Sequence, residues 1–217
     1  MSGQVKRQYD SSRRKEQARE TQRAVLRAAH DLFVEQGYGR TTIADIARAA
    51  GVSAETIYAT FKNKATLLHR VWDVTIGGDD EDVVFHERPE IMAIRAEPDL
   101  AKRFMMHARM STATARRMTP LRLAVLGAAG SEPAAADMLA EMDRQRLAGM
   151  TVMAAASDET GQLAVSEEEC RDVVWAMTDG LLWHAFVNGR GWSDEEYAEW
   201  VGRVWVATLV RPKTRRS

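Results

Sequence analysis

Residues 41–68, TTIADIARAAGVSAETIYATFKNKATLL, impose more on the fold than any other part of the chain. Ile43, Ile46, Ala47 and Ala50 recur at helical spacing and make one apolar face only eight residues long. Thr41 and Thr42 stand where a helix cap is required, and Gly51 supplies the positive φ of a tight turn. Ser53 caps a second short helix, Val52 and Ile57 close a small core, and Ala47 is small where the two helices must cross. Asn63 then caps a third. Helices this short do not persist alone in water, so they must brace one another. The pattern predicts a helix-turn-helix.

Upstream, Ala18, Val25, Leu26, Ala29, Leu32 and Phe33 keep helical spacing from Arg13 until Gly37. No alternating strand pattern and no fixed-period repeat follows, so the fold is expected to be all-α. Helical stretches are expected over residues 98–118, 120–128, 133–156, 167–187 and 194–210. Ser166 with Glu169, and Ser193 with Glu196, have the spacing of capping boxes. A composition break at Gly77, Gly78, Asp79, Asp80, Glu81 and Asp82, with Pro89 and Pro98 beyond, reads as a linker region. The expected organisation is a flexible basic tail over 1–12, a three-helix helix-turn-helix DNA-binding domain over 13–72, a larger helical domain over 73–210 and a basic tail over 211–217.

Charge is divided along the chain although its formal net value is only −1. Residues 1–70 hold 13 Lys and Arg against 7 Asp and Glu; the remainder holds 17 against 24. A basic head on an acidic body suits a protein that meets a polyanion at one end. The single cysteine, Cys170, excludes a disulfide framework and fits a reducing cytoplasm; it reads as a small apolar residue or as a redox thiol. No membrane span, metal-ligand spacing, phosphate-binding glycine loop or catalytic triad is visible, so neither an enzyme nor a cofactor is expected.

The second short helix, residues 53–60, is the expected recognition element for a major groove. DNA-contact candidates are Thr41, Thr42, Ser53, Ala54, Glu55, Thr56, Tyr58, Thr60, Lys62 and Lys64. Glu55 can accept from a cytosine amine or stabilise its own helix start as a first-turn acid. Tyr58 is either a core aromatic or a hydroxyl donor to phosphate. Lys64 follows the Asn63 cap and sits beside the positive end of a helix. It reads either as a solvated lysine or, with the helix amides, as a phosphate site.

The residues Thr42-Ile43-x-x-Ile46-Ala47, Ala50-Gly51-Val52-Ser53 and Tyr58-x-x-Phe61-x-x-Lys64-x-x-Leu67-Leu68, preceded by Phe33-x-x-x-Gly37-Tyr38, resemble the DNA-binding domain of the TetR family of bacterial transcriptional regulators. The resemblance covers about residues 20–72 and fades beyond. Ala59 and Thr60 depart from it, standing where many relatives carry an aromatic and a histidine. It implies a body of about six helices enclosing a ligand cavity and a homodimer formed through the last two helices. It further implies a cytoplasmic repressor of a palindromic double-stranded operator, released by a small hydrophobic effector. An activator, or a protein-interaction module on the same fold, is the alternative.

Within the body, methionines are concentrated, and Met-rich walls suit an apolar ligand of variable shape. Phe104, Met105, His107, Met110, Met138, Met142, Trp175 and His184 are the ligand candidates, the histidines as orienting groups or as satisfied core residues. Two apolar stripes near the C-terminus offer Val174, Leu181, Leu182, Ala185, Trp200, Val204 and Trp205 as dimer-interface candidates, since a second stripe needs a partner or must cover the body's own core.

Overall fold

The computed structural model describes residues 3–78 and 88–212, with side chains from residue 13 onward. The expected acidic linker residues Asp79, Asp80, Glu81 and Asp82, and tail residues 213–217, lie outside it. Among the described residues there are ten helices: α1 Gly3–Gln36, α2 Ile43–Ala50, α3 Ala54–Phe61, α4 Lys64–Gly77, α5 Pro89–Ala96, α6 Leu100–Ala128, α7 Pro133–Asp158, α8 Glu167–Met177, α9 Leu181–Arg190 and α10 Asp194–Leu209. No strand occurs among them; an isolated antiparallel bridge pairs Leu163 with Val210. The chain is all-α. No helix among the described residues is long and apolar enough to cross a membrane.

Several boundaries differ from the sequence reading. The first helix begins at Gly3, so residues 3–12 are helical rather than a tail. Beyond Gly3 the segment has neither glycine nor proline and carries two Gln, a Lys and an Arg, which lose little freedom in a helix. Pro120 lies inside α6 instead of dividing it, with one i→i−4 hydrogen bond lost. The helix expected over 167–187 is broken. Thr178 donates to the Val174 carbonyl at 2.8 Å, and Gly180 adopts φ 87°. The Thr119 hydroxyl occupies the space a Cβ on Gly180 would need, so a side chain at 180 is excluded on both counts. The expected linker contains α5, whose Pro89 sits in the first turn where its fixed φ is an advantage. Arg211 does not start a loose tail: its amide donates to the Gln162 carbonyl at 2.9 Å.

The chain divides into two compact units, Met1–Thr75 with Leu121–Met138, and Ile76–Pro120 with Leu139–Ser217. The first therefore includes a stretch that the sequence reading gave to the body. Its interior holds Val25, Ala29, Phe33, Ile46, Ile57, Leu67, Leu68 and Trp72. The second has a core of Leu100, Phe104 and Ala108 from α6, Cys170 and Val174 from α8, Trp183 from α9, and Tyr197, Val201, Trp205 and Leu209 from α10. The Cys170 thiol is buried there and pushed up to about 11 by burial, with Glu167 and Asp158 adding to it, so it is an apolar core group.

Candidate functional site

The start of α2 is fixed by reciprocal caps. The Thr42 hydroxyl accepts from the Asp45 amide at 3.2 Å and donates to Asp45 Oδ2 at 2.6 Å, while the Thr42 amide donates to the same carboxylate at 3.2 Å. These bonds, the hydroxyl first, hold the Asp45 carboxyl below its ordinary range. At the other end Gly51 takes φ 69°, and the Val52 amide donates to the Ala47 carbonyl at 3.0 Å. Ser53 then caps α3 by accepting from the Thr56 amide at 3.3 Å. Ile57 and Phe61 bury the inner face of α3. Glu55, Thr56, Tyr58, Ala59 and Thr60 are left exposed, Tyr58 with 52% of its surface accessible. A short helix with one locked face and one small, polar, open face is a shape that fits a major groove.

The sequence-predicted contact residues divide sharply. Thr42, Ser53, Glu55, Thr56, Tyr58, Thr60 and Lys62 are exposed, and Ala54 is half-buried. Thr41 is not available. It is 1% exposed, and its hydroxyl is shared between the carbonyls of Gly37 at 2.9 Å and Leu32 at 3.1 Å, so it braces the end of α1. The Glu55 carboxyl is held below its ordinary range by its own backbone amide and then by the Ser53 hydroxyl, which favours the helix-start role.

Lys64 requires the larger correction. Asn63 caps α4 as expected, its Oδ1 accepting from the Thr66 amide at 2.8 Å. The Lys64 ammonium, however, donates to the carbonyls of Tyr38 at 3.0 Å and Thr41 at 3.3 Å and lies 4.2 Å from the centre of the Tyr38 ring. Two of its three donors are thus committed within the protein. It ties the turn after α1 to the start of α4. The sequence carries no signal for this, because the partners lie 26 and 23 residues away. Tyr38 is itself buried against Phe33 with ring centroids 5.2 Å apart; burial, and next Glu132, raises its phenol above the ordinary range.

Of Lys62 and Lys64, Lys62 is the exposed one, and its backbone is unusual. It has φ 64° and ψ −49°, and the Asn63 amide donates across it to the Phe61 carbonyl at 2.7 Å. This is the rare, strained form of γ-turn, and among the described residues Lys62 alone has positive φ without being glycine. The turn separates α3 from α4.

In the second unit the ligand candidates are only partly gathered. Phe104 and His107 are buried on α6 beside Trp205 of α10, with ring centroids 6.2 and 5.5 Å from the indole. Met105 occupies the space a Cβ on Gly202 would take. Met142 is buried, Met110 half-buried, and Trp175 carries the Arg146 guanidinium 4.4 Å over its ring. Met138 is buried in the first unit and does not belong to this group. His184 is exposed, because the break at Gly180 starts a new helix whose outer face carries Leu181, His184 and Ala185.

That break leaves Leu181 and Ala185 exposed and Leu182, Trp200 and Val204 partly so. Val174 and Trp205 are corrected: both are fully buried in the protomer's own core, where their stripe covers the body itself. Sequence reasoning missed the pairing of Trp205 with His107. The Nδ1 of His107 and the Nε1 of Trp205 are buried with no hydrogen-bond partner among the described residues. Burial lowers the imidazole from 6.5 to about 4, so it is neutral.

Residues 25–71 match the sequence profile described as bacterial regulatory proteins, tetR family. Over 61 residues the chain is 46% identical to the HTH-type transcriptional regulator TtgR of Pseudomonas putida, covering 28% of this chain and 29% of the relative. It is 39% identical over 61 residues to the HTH-type transcriptional regulator AcrR of Shigella flexneri, covering 28% of each. The match thus spans less than a third of these relatives' length. The fold is shared more widely. NalD, the secondary repressor of the MexAB-OprM multidrug efflux pump in Pseudomonas aeruginosa, aligns with TM-score 0.63 at 20% identity over 90% of this chain and 99% of its own. A SmeT–triclosan complex aligns with TM-score 0.63 at 20% identity over 91% and 99%.

Proposed function

The chain belongs by its N-terminal domain to the tetR family of bacterial regulatory proteins, and from that premise we propose that it is a repressor that binds a palindromic operator as a homodimer and releases it when a small, mostly apolar effector occupies the second unit. The observation that carries the reading is the locked α2–α3 pair, which turns Thr56, Tyr58 and Thr60 outward on a helix whose other face is buried. The basic N-terminal part of the sequence supplies long-range attraction to the phosphates. Base reading then falls to Thr56 and the small side chains around it. Phosphate contacts fall to Tyr58, Lys62 and the amides at the helix starts, with the remaining Lys64 donor secondary.

Two-fold operators call for paired heads, and Leu181, Leu182, Ala185, Trp200 and Val204 are the interface residues that remain accessible. Release needs an effector that binds one conformational state more tightly than the other. Fluorescence anisotropy with the duplex lying upstream of the protein's own gene, at low ionic strength and without effector, tests the reading. Tight binding that falls steeply with salt is expected. Failure to bind that duplex above the level of an unrelated one would reject it.

A further inference from the structure

A buried hydrogen-bonding atom without a partner is disfavoured, and such atoms are few in folded proteins. His107 Nδ1 and Trp205 Nε1 are two of them, on rings whose centroids are 5.5 Å apart. Thr119, Trp72 and Trp175 also carry one each, but among the described residues only His107 and Trp205 are rings in mutual contact that both do so. Their surroundings are apolar: Phe104 lies against the indole, and Ala108 and Val201 belong to the same core.

What would satisfy both atoms follows from their chemistry. The indole N–H can only donate, so its partner must present a lone pair. The imidazole is neutral in this setting, and with its proton on Nε2 its Nδ1 accepts a hydrogen bond. An ammonium has no lone pair for the indole, and a carboxylate would be buried here without a cation. A hydroxyl meets both requirements, accepting at oxygen and donating its proton.

Resting on the reading of the second unit as the effector domain, we propose that His107 and Trp205 form the polar end of a site for neutral, mostly apolar molecules bearing one hydroxyl. The hydroxyl oxygen accepts from Trp205 Nε1, and its proton is donated to His107 Nδ1. The apolar remainder lies against the neighbouring core side chains. Selectivity then comes from the hydroxyl and tolerance from the adaptable Met150 and Met153 side chains packed against this core.

Equilibrium dialysis of the full chain with 1-naphthol, 1-methoxynaphthalene and naphthalene tests this, because the three differ in one group. With 1-naphthol, binding about 10-fold or more tighter than with either of the others is expected, since a buried site built for a hydroxyl rejects analogues that leave its polar atoms unpaired. His107→Leu and Trp205→Phe should each bring that ratio close to one while leaving naphthalene affinity unchanged. Equal binding of the three compounds, no binding of any, or a ratio untouched by both variants overturns the proposal.

A second measurement needs no ligand. His107→Leu removes an unpaired atom at similar volume, so the unliganded variant should melt at or above the wild-type temperature. A clear fall would mean that Nδ1 has a structural partner such as a fixed water, and would overturn the assignment. Operator binding of the same samples keeps the two readings apart. If operator binding is retained and hydroxyl selectivity is absent, this inference alone fails. If no sample binds operator, the regulatory reading fails whatever the dialysis ratio.

Discussion

The capped turns of the helix-turn-helix and the His107–Trp205 contact in the core of the second unit treat their polar groups differently. In the first, Thr41, Thr42, Asp45, Ser53, Asn63 and Lys64 each find a partner at 2.6–3.3 Å. In the second, an imidazole and an indole nitrogen are buried side by side with none. A surface that must meet DNA in one orientation gains from having its backbone fixed beforehand, because less freedom is lost on binding. A core that keeps unpaired polar atoms is built less for stability than for something that completes it. On the proposed function, the contrast locates the two specificities, that for operator on an outer face of one unit and that for effector inside the other.

The strongest way to break the contrast is to remove Trp205. As a fully buried side chain it should lose about 3–5 kcal/mol of stability on Trp205→Ala. Urea unfolding should show the same loss at every protein concentration. A loss that shrinks as the protein is diluted would return Trp205 to the dimer interface, where the sequence stripe had suggested it.

Protonation probes the same place more gently. An unfolded His107 protonates near 6.5 and the folded one at about 4, so between these values the unfolded chain binds more protons. Stability therefore falls as pH drops from about 6.5 toward 4, by about 3 kcal/mol for this group, and is complete above that window. The difference between wild type and His107→Leu across pH 4–7 isolates it. Parallel stability profiles would mean that the imidazole is not buried as a neutral group.

The two regions were also unequally legible in the sequence. Caps, the Gly51 turn and the apolar face of α3 are settled within four residues along the chain, and each was visible as residue types at fixed spacing. The close approach of Thr119 to Gly180 spans 61 residues of sequence and left no local signal, while α6 runs through a proline that local propensity reads as a boundary, so both were misjudged. The same limit explains Lys64. Its position beside a helix start is local and was read correctly; its partners on the turn after α1 are not local and could not be. For Val174 and Trp205 the apolar stripe was legible, but a stripe does not say whether it faces the protomer's own core or another chain.

Lys64 therefore sharpens the comparison from the side of the first unit. Lys64→Met keeps the apolar stem and deletes the donors to Tyr38 and Thr41, so it should destabilise the protein by about 1–3 kcal/mol in urea unfolding. Its effect on the salt dependence of operator binding should be smaller than that of Lys62→Ala. Unchanged stability with a lost phosphate contact would restore the phosphate-hook reading. Within the same domain, Thr42→Ala removes the capping box and should lower stability by about 1 kcal/mol.

Lys62 carries the smallest expected change and the sharpest discrimination, because stability and binding should move in opposite directions. Its φ of 64° is one that glycine adopts without strain and lysine does not. Lys62→Gly should therefore raise stability by up to about 1 kcal/mol, the gain reduced by the greater freedom glycine has when unfolded. The same substitution removes an exposed cation at the end of α3, so operator affinity should fall and the slope of log K against log salt should flatten by about one unit. Lys62→Ala separates the two causes, since it deletes the charge and keeps the strain. If both variants bind operator with the wild-type salt slope, Lys62 makes no phosphate contact, and the strained turn serves only to set the start of α4 against the recognition helix.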